Sequence, residues 1–471
     1  MSQSIAALPD RLLPADPGTR SIARSLLERI QDLPIISPHG HIDAAVIEQD
    51  IPFPDPAALL VSPDHYITRL IHASGVPLDR LQPSLGGSKP VARDSRAVWR
   101  EFCKAWPLFE GTASGYWLRT QFDSVFGLQQ EISAETADAS YEAISARLLE
   151  PGFRPRQLFK DFNIEVLATT DDPLDDLASH KALARDPTFR GRVLPTFRPD
   201  AYLNIAHPVW SANVDRLIAS AGGATGYAGY LTALESRRRY FVENGAVSAD
   251  HGARTPAALK LDAGEAARLF DRARAGQATS QDRDRFEAHM MYQMARMSVE
   301  DGLVMTLHPG SFRNHHEPTF TTFGADTGHD IPFAVNYTEA IRPLLQDFGT
   351  AKDFHLVLFT LDETVFSREL APLAGFYPSV YLGAPWWFLD APDAMLRFRS
   401  AVTETAGFSR SSGFIDDTRA FCSIPARHDA SRRIEASFLA RLVAEHRVSE
   451  DRAHELIVDV VDSSPRRVFK L

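Results

Sequence analysis

The run LVMTLH, residues 303–308, is apolar except for Thr306 and the histidine at its end. A strand with one solvated face alternates apolar and polar residues, whereas a strand covered on both faces, as in a parallel sheet, is almost continuously apolar. The run therefore predicts a buried parallel strand that ends at His308.

Seven further runs of this kind occur at residues 34–37, 164–170, 192–197, 245–249, 355–360, 379–383 and 413–416. Between them lie stretches such as TRSIARSLLERIQDL (19–33), with apolar residues three or four positions apart. That spacing is typical of amphipathic helices that cover a sheet. Eight buried strands joined by helical crossovers predict an α/β fold, a (β/α)8 TIM-type barrel with helical insertions.

The insertions are predicted where the interval between strands is too long for a simple crossover. We divide the chain into 1–50 (N-terminal helix and first strand), 51–160 (helical insertion), 161–200 (strands two and three), 201–300 (mostly helical insertion with strand four) and 301–471 (strands five to eight and C-terminal helices).

Composition excludes several classes of partner. The net charge is -11, with no run of five or more like charges, which argues against nucleic acid or an anionic membrane surface. The sequence begins without an apolar leader, and no stretch approaches 18 consecutive apolar residues, so we expect a cytoplasmic protein. Cys103 and Cys422 lie in apolar surroundings and are predicted to be buried free thiols.

Ionisable or aromatic residues follow seven of the eight predicted strands, and in a barrel of this type the working groups lie at the carboxyl ends of the strands. Any one of them could instead cap a turn, because Asp commonly begins a helix after a strand. Their repetition at one end predicts a shared site. The residues are His39 and His41, Asp171 and Asp172, Arg198 and Asp200, Asp250 and His251, His308 followed by Arg313, His315 and His316, Trp386 and Trp387, and Asp416, Asp417 and Arg419.

His39 and His41 are spaced as a metal-binding pair. In an extended segment residues two positions apart point to the same side, so both rings can reach one ion. Asp417 is the best-placed third ligand, because strand eight neighbours strand one when the barrel closes. Two imidazoles and a carboxylate suit Zn²⁺ and leave a position open. The alternative is two surface histidines without a metal.

Nearly the whole chain resembles the uronate isomerases of the amidohydrolase superfamily. The motifs that carry the resemblance are SPHGHID (37–43), PDHYITR (63–69), FNIEVLATTDDP (162–173), TFRPD (196–200), SADHG (248–252), LHPGSFRNHH (307–316), GAPWWFLD (383–390) and GFIDDTRAFCSIPARHD (413–429). The resemblance implies conversion of D-glucuronate to D-fructuronate, and of D-galacturonate to D-tagaturonate, in bacterial sugar-acid breakdown. The expected partners are the small uronate and further copies of the chain.

This isomerisation moves a proton from C2 to C1 through a cis-enediol and needs a base and a proton carrier. In the family the tyrosine that matches Tyr66 is a candidate base, and the adjacent His65 could favour its ionisation. Asp417 and Asp250 are further candidate proton carriers. Without the resemblance, Tyr66 would be interpreted as a buried aromatic.

Three arginines, Arg198, Arg419 and Arg427, could clamp the carboxylate of a sugar acid, because Arg favours two-bond contacts with carboxylates. Each could instead form a structural ion pair. His308 and Trp386 are lesser candidates for the same pocket.

Two other functions remain open. One is a metal-dependent hydrolase of the same superfamily, whose binuclear members commonly carry a modified lysine after strand four. No lysine lies between residues 245 and 259, so a single metal is expected. The other is a catalytically silent barrel that binds a sugar acid, which the presence of all four of His39, His41, Tyr66 and Asp417 disfavours.

Overall fold

The computed structural model describes residues 8–83, 94–207 and 209–471. Residues 1–7, 84–93 and 208, which belong to the predicted units 1–50, 51–160 and 201–300, lie outside the described residues. The strands are β1 Ile35–Ser37, β2 Ile164–Ala168, β3 Arg192–Leu194, β4 Thr196–Phe197, β5 Ser248–Ala253, β6 Val304–Pro309, β7 Ser311–Phe312, β8 Ile331–Pro332, β9 Leu356–Leu358 and β10 Val380–Leu382.

Helices account for most of the remaining described structure. The α-helices are α1 Pro17–Ile30, α2 Ala44–Gln49, α3 Pro56–Leu60, α4 His65–Ala73, α5 Leu78–Leu81, α6 Ser95–Ala105, α7 Ala113–Thr120, α8 Ala137–Leu148, α9 Pro155–Asp161, α10 Ala178–Arg185, α11 Asp200–Leu203, α12 Trp210–Ser220, α13 Gly226–Glu243, α14 Ala263–Arg274, α15 Ser280–Asp301, α16 Glu317–Phe323, α17 Arg342–Phe348, α18 Ala371–Phe376, α19 Pro392–Ala406, α20 Ile424–Ala444, α21 Glu450–Val458 and α22 Ser464–Phe469. Short turns of 3-10 helix (106–109, 151–153, 363–365, 387–389, 408–410 and 421–423) and of π-helix (121–125, 366–370 and 459–463) extend or connect them.

The strands form a parallel α/β barrel of TIM type, as predicted. One group has the order β1-β2-β3 and the other β4-β5-β6-β9-β10, and all of these pairs are parallel. β3 and β4 are consecutive parts of one extended segment. Pro195 interrupts it, because proline has no N–H to donate to the strand pairing. A parallel bridge between Asp171 and Phe197 continues the pairing past the interruption.

The prediction of an eighth strand at 413–416 is wrong in detail. Ser411 forms a parallel bridge with Leu382 of β10, but residues 413–416 have no regular strand pairing. Gly413 (φ +77°) and Asp417 (φ +40°) have left-handed backbone conformations, which a strand does not accommodate. The segment still runs towards the first strand, because the His41 N–H donates to the Thr418 carbonyl over 3.0 Å.

The fourth predicted strand, 245–249, is displaced. Gly245 (φ +93°) belongs to the turn after α13, and β5 begins at Ser248. Asp250 and His251 therefore lie within β5 and not after it. Both are buried, and both bond to Thr306 of β6: Thr306 Oγ1 donates to Asp250 Oδ1 over 2.7 Å, and His251 Nδ1 lies 2.9 Å from the Thr306 carbonyl. Buried polar pairs allow a core strand to lack an apolar run.

Three further observations complete the description of the fold. β7 and β8 form an antiparallel pair that the sequence did not indicate. Cys103 and Cys422 are buried free thiols, as predicted. Among the described residues, no helix is long and apolar enough to cross a membrane.

Candidate active site at the carboxyl ends of the strands

His39, His41 and Asp417 converge on one point beside the end of β1. Asp417 Oδ1 lies 3.3 Å from His39 Nε2 and 2.9 Å from His41 Nε2. Neither contact is a hydrogen bond by its geometry, and Asp417 Oδ1 is buried with no hydrogen-bond partner among the described residues. Three donor atoms that face each other in this way fit a metal ion with two imidazole ligands and one carboxylate ligand.

A second group that could hold a metal ion consists of His39, Asp250 and His308. Its carboxylate is already compensated, because Arg198 Nη1 lies 3.3 Å from Asp250 Oδ2 and His308 Nδ1 lies 2.7 Å from Asp250 Oδ1. A guanidinium at this distance repels a further cation. The geometry therefore favours the group that contains Asp417.

Asp250 is the buried anion of the site. Burial alone would raise the pKa of its carboxyl group, but His308, His39 and Arg198 hold that pKa well below its ordinary value. Asp250 therefore stays ionised. Its partner His308 stacks on His39 (ring centroids 4.7 Å apart) and on Phe359 (4.0 Å). Through its contact with His308, Asp250 thus helps to position His39, one of the candidate metal ligands.

Trp386 closes the wall beside His308, with the ring centroids 4.7 Å apart. Trp386 Nε1 and His308 Nε2 are buried and have no hydrogen-bond partner in the described parts of the chain. Buried polar atoms are ordinarily satisfied, so these two are suited to bind the hydroxyl groups of a ligand.

His65 and Tyr66 begin α4, where the Asp64 side chain accepts a hydrogen bond from the Tyr66 N–H over 2.9 Å. The two rings stack with centroids 4.8 Å apart, and His65 also lies 5.3 Å from Trp387. Burial, with Arg419 nearby, lowers the pKa of His65 to about 3, so its ring is neutral. Burial raises the pKa of Tyr66, and Arg427 opposes that shift. The phenol is therefore protonated in the ligand-free site.

The three predicted carboxylate-binding arginines have different surroundings. Arg427 is 1% exposed, donates to Asp390 Oδ2 (2.9 Å) and the Asp416 carbonyl (2.8 Å), and lies 3.8 Å above the Trp117 ring. Arg198 is 31% exposed and donates to Asp200 over 3.0 Å. Arg419 is 37% exposed. Arg198 and Arg419 can therefore reach a ligand more readily than Arg427.

The sequence analysis did not predict several residues of the candidate site. Asp390 and Trp117 enclose Arg427, and Asp326 pairs with Arg419 over 3.1 Å. Asp390 lies in the GAPWWFLD motif, so its place in the segment that follows β10 was a usable signal. Trp117 comes from the helical insertion, where its spacing indicates only a core residue.

Other strand-end residues have structural contacts instead. Asp171 Oδ2 accepts from Thr169 Oγ1 (2.6 Å) and the Thr196 N–H (3.0 Å), and Asp172 accepts from Tyr202 Oη over 2.7 Å. The Thr196 bond ties the end of β2 to β4, and the Tyr202 bond ties it to α11. Both aspartates therefore fit the alternative of a capped turn.

Asp171 should make stability depend on pH. Burial raises its pKa from 3.8 to about 7, so the folded chain binds this proton more tightly than the unfolded chain. The resulting stabilisation is present below the unfolded pKa and is lost as pH rises through about 7, with a slope of at most about 1.4 kcal/mol per pH unit. Asp171→Asn is expected to flatten the fall in melting temperature between pH 5 and 8. Parallel profiles for Asp171→Asn, wild type and the control Asp172→Asn would contradict this.

Histidines, carboxylates and arginines gather at the carboxyl ends of the barrel strands, which is where α/β-barrel enzymes have their active sites. The fold and the site therefore define the chain as an α/β-barrel enzyme. The sequence model described as glucuronate isomerase matches residues 18–469. The chain therefore belongs to the glucuronate isomerase family, whose members are aldose–ketose isomerases that interconvert glucuronate and fructuronate.

Individual relatives are similar to this chain over almost their full length. The chain is 58% identical to a uronate isomerase of Corynebacterium efficiens, with 100% of both chains covered. It is 50% identical to a uronate isomerase of Phenylobacterium zucineum, over 100% of this chain and 98% of that one. The crystal structure of glucuronate isomerase from Caulobacter crescentus superposes with a TM-score of 0.96 at 44% identity, covering 99% of this chain and 98% of that one.

Proposed function

We propose that this chain isomerises D-glucuronate to D-fructuronate, and D-galacturonate to D-tagaturonate, with one divalent metal ion held by His39, His41 and Asp417. The observation that carries the proposal is the convergence of two imidazole nitrogens and one carboxylate oxygen on one point at the strand ends. Zinc is the proposed ion, because two imidazoles and one carboxylate are ligands that it accepts. When bound, the ion would act as a Lewis acid on the oxygens of the sugar.

Tyr66 is proposed to carry the proton between C2 and C1. The phenol has to lose its own proton before it can act as a base, and Arg427, 5.2 Å above the ring, is the charge that favours this loss. His65 is neutral and stacks on Tyr66, so it fixes the ring without adding charge. Asp250, which stays ionised, and Asp417 are the alternative proton carriers.

Arg198 and Arg419 are proposed to bind the carboxylate of the sugar, with His308 and Trp386 binding its hydroxyl groups. Partial exposure of both guanidinium groups supports the first part. The unsatisfied ring nitrogens of His308 and Trp386, within the part of the chain that the structure describes, support the second. Arg427 is proposed to position Tyr66 and not to touch the substrate.

Methionine substitutions separate these roles. Arg198→Met and Arg419→Met are each expected to raise KM for glucuronate about tenfold, because hydrogen bonds to charged groups contribute about 1.5 to 3 kcal/mol. Arg427→Met leaves the buried Asp390 without its cation and is expected to cost about 3 to 5 kcal/mol of stability. Steady-state kinetics and thermal unfolding measure both. Unchanged KM in the first two variants would place the carboxylate elsewhere.

The proposed function is tested by an assay of keto-uronate formation from glucuronate and galacturonate. Turnover of both is expected, and turnover of neither would refute the proposal. We also propose that the enzyme is cytoplasmic in a bacterium and forms a homo-oligomer. Light scattering should then give a mass that is a multiple of the 52.2 kDa chain, whereas a mass of one chain would contradict it.

A further inference from the structure

The two histidines of the candidate metal site lie on a loop that continues β1 beyond the end of its regular pairing. The last residues of β1 and β2 that are in register are Ser37 and Leu167. Pro38, which follows, has no N–H to donate to a strand neighbour. His39 and His41 are therefore outside the sheet, and other contacts have to hold them at the distances that a metal site requires.

The rings of the two histidines are only partly fixed by their own contacts. Metal-binding histidines usually donate their second ring N–H to a protein acceptor, which orients the ring. Within the described chain, neither His39 nor His41 makes a hydrogen bond through Nδ1, and both direct Nε2 towards Asp417. Stacking on His308 orients the ring of His39 alone. The relative placement of the two rings therefore depends strongly on the backbone between them.

The peptide group that joins Gly40 to His41 is hydrogen-bonded on both sides. Thr170 Oγ1 donates to the Gly40 carbonyl over 2.7 Å, and the His41 N–H donates to the Thr418 carbonyl over 3.0 Å. Gly40 is buried and closely packed, because an added Cβ would lie 3.3 Å from Asp416 Oδ1. This one peptide group thus connects the end of β2 to the segment that carries the third candidate ligand.

Thr170 is itself firmly placed. The residues on either side of it bond to the β3 and β4 segment: the Thr169 N–H donates to the Leu194 carbonyl over 2.9 Å, and the Asp171 N–H donates to the Thr196 carbonyl over 3.0 Å. The side chains of Thr169 and Asp171 bond to each other over 2.6 Å on one side of this extended stretch. Alternation along an extended chain places the Thr170 side chain on the other side, where it meets the histidine loop. Its hydroxyl group is therefore a donor in a fixed position.

We propose that Thr170 is a positioning residue for the metal site of the proposed function: its hydroxyl group holds the Gly40–His41 peptide in place and thereby sets how tightly the two histidines bind the ion. Thr170 does not touch the ion. Without its hydroxyl group the peptide is held on one side only, and the histidine pair has to be ordered when the ion binds. That ordering costs binding free energy, whereas a loop that is already in place does not incur this cost.

Thr170→Val tests the proposal, because it removes the hydroxyl group and keeps the branched shape of the side chain. The zinc dissociation constant of metal-free protein, measured by competition with a chromophoric chelator, is expected to rise about 10- to 100-fold, the usual effect of losing a group that orients metal ligands. Thr170→Ser keeps the hydroxyl group and should stay within about threefold of wild type. At saturating zinc, kcat of Thr170→Val should be close to wild type, while the zinc concentration for half-maximal activity should rise.

The matched control is Ser379→Ala. Ser379 Oγ donates to the Gly349 carbonyl over 2.8 Å immediately before β10, at the opposite end of the barrel. Any loss of stability that this change causes should leave the zinc dissociation constant unchanged. If Thr170→Val does not fold, Thr170→Ala repeats the test.

Two results would overturn the positioning role alone: zinc binding as tight in Thr170→Val as in wild type, or zinc binding as weak in Thr170→Ser as in Thr170→Val. Wild type that binds no zinc would instead refute the metal site of the proposed function, and the positioning role with it.

Discussion

Replacing Asp417 by alanine is expected to lower turnover of glucuronate by about a thousandfold or more and to remove most of the metal bound by the chain. The substitution deletes the one carboxylate that faces both His39 Nε2 and His41 Nε2, and two imidazoles alone hold an ion weakly. Loss of a Lewis acid removes several kcal/mol of transition-state stabilisation, and about 4 kcal/mol corresponds to about a thousandfold. Steady-state kinetics and elemental analysis of the same preparation measure both effects.

His446→Ala is the control, because it removes an exposed histidine beyond the C-terminal end of α20. It should keep its metal and its activity. An Asp417→Ala protein that is folded by circular dichroism, keeps a full complement of metal and remains inactive would show that Asp417 acts on protons alone. An Asp417→Ala protein with full metal content and full activity would show that Asp417 neither binds the metal nor takes part in catalysis.

Tyr66→Phe is expected to lower kcat by about 10²- to 10⁴-fold, the usual contribution of proton transfer by a positioned side chain. The change deletes one hydroxyl group and keeps the stacking of the ring on His65 and its edge contact with Trp117. Metal content and thermal stability should therefore stay close to wild type. In D₂O, wild type should place deuterium at C1 of the product, because a carried proton exchanges at least partly with solvent.

Tyr141→Phe removes a hydroxyl group from a tyrosine packed under Arg96, away from the site, and should leave kcat unchanged. A Tyr66→Phe enzyme that works at a rate close to wild type would make Tyr66 a packing residue and leave Asp250, Asp417 and His65 as the candidates for the base. Complete absence of deuterium at C1 would point to hydride transfer.

Most of the barrel could be predicted from the sequence, because parallel strands buried on both faces leave continuous apolar runs. β6 and β9, predicted at 303–308 and 355–360, coincide with such runs to within two residues. The two errors have local causes. The segment at 413–416 begins at the left-handed Gly413 and is followed by the left-handed Asp417. β5 carries Asp250 and His251 in its interior, where both bond to Thr306 of β6.

From residue patterns alone, the candidate site was predictable only where its residues follow predicted strands; His65 and Tyr66, which begin α4, were predicted only through the family resemblance. His39 and Asp417 meet because the first strand lies beside the last segment of the barrel, which follows from closure alone. Asp326 meets Arg419 across 93 positions of sequence and Trp117 reaches Arg427 from an inserted helix, so neither pairing leaves a local pattern. The exposure of the arginines could not be predicted from the sequence. Nothing in the sequence distinguishes Arg198, Arg419 and Arg427, whereas in the structure Arg427 is buried and the other two are partly exposed.

The most direct test is the activity of chelator-treated protein as a function of zinc added per chain. One metal ion bound by His39, His41 and Asp417 predicts no measurable conversion of glucuronate in the stripped protein. Activity should then rise linearly and reach a plateau at one equivalent of zinc. Full activity in protein shown by elemental analysis to be free of metal would contradict a metal-dependent isomerase, and a plateau only at two equivalents would contradict a single site.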